Sequence, residues 1–232
     1  MQVFRSDSEG TTELSVDLAE QVRAKPTGIA AAFAWLKGFA RRKPVAFGGG
    51  VVLVMAIFVA IFAEQIAPHA ATDIGVAGKF LGPGAEGTLL GTDQLGRDIF
   101  SRLIFGARIS MYVGIVSVLI GITFGTLVGV TSAYVGGWAD ILLQRLVDAL
   151  MGFPPIILAL GLMAALGASV NNVVIALVVI LVPGATRVIR SQALSIKELD
   201  YTLAARSIGA SSFRIIFRHM LPNVAATYIV LV

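Results

Sequence analysis

Residues 109–135 read ISMYVGIVSVLIGITFGTLVGVTSAYV. No charge interrupts the run. At 1.5 Å per residue it is long enough to cross the roughly 30 Å of hydrocarbon in a bilayer. Small residues recur every fourth position within it: Ser117, Gly121, Gly125, Gly129 and Ala133. That stripe drifts only slowly around a 3.6-residue helix and lets a neighbouring backbone come close, so helix packing in lipid is expected of it in preference to solute contact.

Working outward, residues 45–63 form an earlier uncharged run, too long and too far from the start for a cleaved signal peptide. A third run covers about 153–166, entered through a helix from Asp140, and a fourth about 173–185. Gly161, Ala165 and Ser169 offer a second set of small residues, and Pro183-Gly184 is expected to kink the fourth run. Another apolar run opens after Pro222, and ten residues cannot cross a bilayer. The expected fold is therefore an all-α polytopic membrane protein, apparently truncated in a fifth transmembrane helix.

Composition agrees. The 232 residues are 56% hydrophobic and only 14% charged, against about 25% charged in soluble domains. There is no cysteine, so disulfide and zinc-thiolate chemistry are excluded. A net charge of +4 fits basic loops of a membrane protein better than nucleic-acid binding, and no nucleic-acid partner is expected.

The organisation expected is a cytoplasmic tail and interfacial helix over 1–44, a first span over 45–63, an external loop over 64–108, and a core over 109–232. Residues 1–27 read as a mobile tail. In the interfacial helix, Phe33, Trp35, Leu36 and Phe39 precede Arg41-Arg42-Lys43. With the N-terminus inside, fourteen of the 18 Lys and Arg lie on the inner side. The outer four are Lys79, Arg97, Arg102 and Arg108. This asymmetry sets the orientation.

No Asp, Glu, Lys, Arg or His falls inside the proposed spans, which weakens a proton-relay carrier. No phosphate-binding loop exists, since Gly78-Lys79 is followed by Phe80. If transport is driven by ATP, hydrolysis belongs to another chain. Carboxylates with a single histidine, His69, are a poor donor set in the loop, and no metal site is expected.

Residues 187–222 are cationic, and within them 197–208 are helix-compatible, with no Pro or Gly, at the start of a candidate docking segment over about 198–222. Tyr201, Ala204, Ala205 and Ile208 define one face. Gly209 allows a turn, and Ser211 or Ser212 can cap a second helix. That helix carries Phe213, Ile216, Phe217 and Met220 on one side, Arg214 and Arg218 on the other, and is expected to end at Leu221-Pro222. His219 reads as a polar helix-end residue near the membrane surface. A docking surface for a protein and a helix resting on anionic lipid fit this segment equally well. In the loop, residues 95–108 suit an amphipathic helix on the outer face, with Asp98 and Arg102 paired at i, i+4.

The segment resembles the cytoplasmic loop of binding-protein-dependent ATP-binding-cassette importer permeases. It has Leu203-Ala204-Ala205, Gly209, Ile216-Phe217 and Leu221-Pro222, with Leu203 where the family commonly has Glu. A second stretch, Gly91-Thr92-Asp93-Gln94-Leu95-Gly96-Arg97-Asp98 with Ser101-Arg102, Gly106-Ala107-Arg108 and Ser110, is similar to the C-type permease of dipeptide, oligopeptide and nickel importers. Arg41-Arg42-Lys43, Ala67-Pro68, Asp148 and Phe153-Pro154 fit the same pattern. The resemblance implies a multi-pass inner-membrane subunit that performs no covalent chemistry and binds no cofactor itself, ATP and Mg²⁺ being held by partner ATPase subunits. It also implies a second permease subunit, an extracytoplasmic solute-binding protein, and a coupling helix docking through Ala204, Ala205, Gly209, Leu221 and Pro222. A self-contained secondary transporter or channel is the alternative, and a membrane scaffold a further one.

Overall fold

The computed structural model describes residues 29–232, so the expected tail over 1–27 lies outside the described residues. All regular elements described are helical, with one isolated β-bridge between Thr92 and Asp98. By its internal contacts the chain divides at Phe58, and the two parts are taken separately.

In the first part α1 (Ile29–Arg42) is followed after Lys43 by α2 (Pro44–Ile61). Pro44 suits a first helical position, where its missing N–H costs nothing. Arg41 and Arg42 fill the last turn of α1, where cations favour the helix dipole. Trp35 and Phe39, one turn apart, stack with centroids 5.5 Å apart. α2 carries no charge and is long and apolar enough to cross a membrane.

In the second part α3 runs unbroken from Ile99 to Val135, 37 residues, or about 55 Å. The loop helix and second span expected as separate pieces are thus one rod. Asp98 caps it, accepting from the backbone N–H of Phe100 and Ser101. Asp98 does not pair with Arg102 as expected, because its oxygens are taken by the cap.

α4 (Gly137–Met151) and α5 (Pro155–Leu166) follow, bent by 92° to each other. Pro154 and Pro155 supply no N–H and disfavour helix in the residue before them, so α4 cannot continue into α5. The expected third span is therefore the second arm of an angle. Its Gly161 faces open space, and Ser169 serves as the cap of the next helix, accepting from Asn172 N–H at 3.1 Å.

α6 (Val170–Lys197) is one 28-residue helix with Pro183 inside it, so the proline does not end the span and the cationic stretch from Arg187 begins within the helix. α6 lies parallel to α3: Ser117 meets Val174, Gly125 meets Ala185 and Thr186, and Lys197 Nζ reaches the Ala133 carbonyl at 3.1 Å. Two adjacent parallel helices need a return path, which the α4–α5 angle supplies.

α7 (Asp200–Ser207) follows, then a single turn Ser212–Arg214, a π-helical turn Ile215–Met220, and α8 (Leu221–Leu231). Leu221-Pro222 does not end the preceding helix. The i→i+5 winding hands over directly to α8, and Pro222, lacking an N–H, falls in its first turn. The core gathers here: Val130, Tyr134, Ile189, Ile215, Met220 and Val224 form one buried cluster joining α3, α6, the π turn and α8.

Candidate functional site

The surface built by α7 and the π turn is held from behind. Thr202 Oγ1 donates to the Ile196 carbonyl at 3.0 Å, and the Arg206 guanidinium sits 5.5 Å from the Tyr134 ring centroid. Gly209 takes φ +80°, and Ala210 N–H returns to the Ala205 carbonyl at 3.0 Å. That is a Schellman-type stop, which needs a left-handed residue after the helix. Nothing crowds Gly209, so backbone conformation is what favours glycine there.

The expected docking face divides. Ala204 and Gly209 point outward, while Ala205 is only 6% exposed and packs into the chain's own core. Of the docking residues, Leu221 is half-buried and Pro222 exposed. The second expected face divides too. Ile216 and Met220 are buried, whereas Phe213 and Phe217 are exposed, their rings 4.3 Å apart. An α-helical period would put all four together, and the π turn separates them. What remains outside is an apolar patch: Leu203, Ile208 at 86% exposure, Phe213 at 69%, and Phe217.

A polar network missing from the sequence reading lies next to this surface. Arg190 on α6 forks onto Asp140 of α4, Nε to Oδ1 at 2.7 Å and Nη2 to Oδ2 at 2.5 Å. Ser132 of α3 donates to the same Oδ1, and Gln144 Nε2 donates to Ser132 Oγ at 3.2 Å. Arg187 reaches Asp148 at 2.5 Å. The available signal was two acids eight residues apart on α4 and two arginines three apart on α6.

The loop motif folds into a knot at the start of α3. Gly91 (φ +81°) lies so close to residues 81–82 that a Cβ there would sit 2.1 Å from the Leu81 carbonyl oxygen, and one on Gly96 (φ +68°) 2.6 Å from that of Ala77. Thr92 Oγ1 donates to the Gly78 carbonyl and accepts from Leu81 N–H at 3.1 Å. Asp93 accepts from the N–H of Leu95 and Arg97, from Arg97 Nε at 2.7 Å and from Arg102 Nη1 at 2.7 Å. Ser101 Oγ donates to Asp98 at 2.6 Å and accepts from His69 N–H at 3.1 Å. Gly91, Thr92, Asp93, Gly96, Arg97, Asp98, Ser101 and Arg102 are thus brought together, and their hydrogen-bonding groups are largely spent on one another.

Burial raises the Asp93 carboxyl, but the Leu95 and Arg97 amides and the Arg97 guanidinium outweigh it and hold the pKa at about 2, below the ordinary 3.8. Asp98 is also lowered: burial opposes, and Ser101, Phe100 and His69 prevail. A depressed carboxylate stabilises the fold above its unfolded pKa, and that contribution is lost as pH falls through the folded one. The knot is therefore expected to resist protease through pH 4 and to open only towards pH 2. Asp93→Asn should open it at neutral pH, and equal protease resistance of variant and parent would show that Asp93 does not hold the loop.

The small-residue seam is where α3 meets α6. Cβ atoms added at Gly121, Gly125 and Gly129 would come within 2.9 Å of Leu181 Cβ, 2.7 Å of Ala185 Cβ and 2.7 Å of the Thr186 carbonyl oxygen. Ser117 is buried in the same seam.

Residues 121–232 match the family described as binding-protein-dependent transport system inner membrane component. The chain is 37% identical over 198 residues to a dipeptide transport system permease protein of Alkalihalophilus pseudofirmus, covering 84% of this chain and 65% of the relative. It is 38% identical over 189 residues to a glutathione transport system permease protein of Pectobacterium atrosepticum, covering 82% and 63%. It is 40% identical over 182 residues to a putative peptide transport system permease protein of Brucella suis, covering 78% and 61%. The chain spans less than two thirds of the length of these relatives.

Proposed function

We propose that this chain, whose residues 121–232 match the family of binding-protein-dependent transport system inner membrane components, belongs to that family and is one permease subunit of an ATP-driven importer. Its solute is a di- or oligopeptide or a related small molecule such as glutathione or a nickel complex. The relatives' names support peptides and glutathione, and nickel rests on the resemblance of the 91–110 stretch alone. The observation that carries the coupling role is the apolar patch of Leu203, Ile208, Phe213 and Phe217, exposed on a rigidly backed helix pair beside Ala204 and Gly209.

In this reading the N-terminus and the α7–π surface are cytoplasmic, as the Lys and Arg asymmetry suggests. An ATPase subunit seats its groove over Ile208 and Phe213. A second permease completes the solute path, and a binding protein delivers the solute near the loop knot. ATP drives alternating access by binding one arrangement of the assembly more tightly than the other. The backing of α7 by Thr202 and Arg206 passes movement of the docking surface to α6 and α3, and the Asp140–Arg190 pair links α6 on to α4.

The test is recovery of partners with the full-length protein from its native membrane in mild detergent. Ile208→Glu puts a charge on the docking patch without entering the core. Loss of an ATPase with retention of a second permease is expected. A protein that purifies alone, in parent and variant alike, would instead indicate a self-contained carrier. Ala205→Glu is not equivalent, because it forces a charge into the chain's own core.

A further inference from the structure

The first part of the chain contains a feature that neither the coupling surface nor the helix seam uses. α1 and α2 enclose an open groove of about 620 Å³. Trp35, Leu36 and Phe39 form one wall, and Phe47, Val51 and Met55 the other. Gly50 lies between them, and a Cβ built there meets nothing within 4 Å. At the closed end of the groove, where α1 turns into α2, the sequence is Arg41-Arg42-Lys43, with Lys37 one turn earlier. All four cations are exposed, and none has an ion pair among the described residues. No acid occurs between Ile29 and Ile61. The amino end of α2, which adds its own partial positive charge, points into the same cluster.

We propose that this groove is a binding site for an anionic phospholipid, one acyl chain lying between α1 and α2 and the headgroup phosphate held by Arg41, Arg42 and Lys43. The two halves of the site match the two halves of the ligand. An apolar slot beside a membrane-crossing helix favours a hydrocarbon chain, and an uncompensated cation cluster at one end favours a phosphate over a zwitterionic headgroup. A soluble anion would satisfy the cations and leave the groove unfilled. The proposal depends on the membrane location of the chain and not on the identity of its solute or ATPase.

These 232 residues contain two tryptophans, Trp35 and Trp138, so Trp138→Phe, with any tryptophan of the full-length protein outside them also changed to Phe, leaves a single reporter in the groove wall. The protein is reconstituted in vesicles containing increasing fractions of phosphatidylglycerol brominated in its acyl chains, or of phosphatidylcholine brominated identically. Quenching of Trp35 is expected to half-saturate at a roughly fivefold or lower fraction of the anionic lipid. The triple variant Arg41→Gln, Arg42→Gln, Lys43→Gln should bring the two curves together. Gly50→Leu, which keeps every cation but fills the slot, should also abolish the preference. Coincident curves in the parent would overturn the site. So would a preference that survives Gly50→Leu, since headgroup attraction alone would then explain it. Helix content by circular dichroism is matched across variants, and Arg42→Gln alone is read if the triple variant loses helix.

Discussion

Replacing Gly125 with valine is expected to separate α3 from α6 and to strip the protein of most of its stability in detergent. The new Cβ would stand 2.7 Å from Ala185 Cβ, 2.9 Å from the Val182 carbonyl oxygen and 3.2 Å from the Thr186 amide nitrogen. Two of these three are backbone atoms, which cannot rotate away as a side-chain end could. Overpacking a tight interior usually costs about 1–3 kcal/mol and sometimes more. Here the clash also lengthens the Thr186 Oγ1 bond to the Gly125 carbonyl, now 3.2 Å and buried. Gly129→Val meets the Thr186 carbonyl oxygen at 2.7 Å. The double variant should do worse than either single one, by less than the sum once the helices have parted. Gly161→Val on α5 is the control, because nothing lies within 4 Å of its Cβ. Thermal unfolding of the purified full-length protein checks this. A melting temperature within a degree or two of the parent for Gly125→Val would mean that the two helices do not approach as described.

The contrast between Gly125 and Gly161 marks how far the sequence could be read. Both lie in small-residue patterns in apolar runs, and spacing alone treats them alike. The regular four-residue repeat on α3 was a legible signal because it stays on one face through four turns. The α5 set was not, because α5 is only 12 residues long and bends away from α4 at 92°. That the chain crosses lipid as helices was legible from uncharged apolar runs, the two clearest of about 20 residues or more, since a barrel strand would need only about ten residues of alternating character. Boundaries were less legible. Asp98 read as half of an i, i+4 ion pair, a local rule that ignores competition. The Phe100 and Ser101 amides lie closer at hand than Arg102, and Arg102 finds Asp93 nine residues back. Pro183-Gly184 read as a kink near the end of the fourth run, and the helix continues through it to Lys197, since within a bundle neighbouring helices can tolerate the lost bond. The π turn at Ile215–Met220 has no composition signature, so the α-helical period that grouped Phe213, Ile216, Phe217 and Met220 on one side failed, and Ile216 and Met220 turn inward while Phe213 and Phe217 stay outside. Contacts between residues fifty apart, such as Asp140 and Arg190, are invisible to any periodicity.

That last pair makes the second large prediction. Asp140→Ala is expected to destabilise the protein by about 2–3 kcal/mol, below the roughly 3–5 kcal/mol that breaking a fully buried ion pair costs. The discount reflects partial solvent access, 28% for the Arg190 side chain and 13% for Asp140. The loss exceeds that of a surface pair for three reasons. The contact is bidentate, it also satisfies Ser132, and its loss leaves the Arg190 guanidinium with no other acid paired to it among the described residues. Removing both charges in Asp140→Ala/Arg190→Met should recover most of the stability, because no uncompensated ion remains. Function should not follow stability in that double variant. α4 is tied to α6 by Asp140–Arg190 and, more weakly because both partners are exposed, by Asp148–Arg187. With the inner tie gone, the α4–α5 angle is held mainly by packing. If the chain is the proposed permease and α4 relays movement between the docking surface and the spans, the full-length double variant should fold and recruit the partner ATPase, whose hydrolysis continues, while several-fold less solute is transported per ATP. Unchanged transport per ATP in a stably folded double variant would reduce the pair to a structural fastening and place the relay in α6 alone.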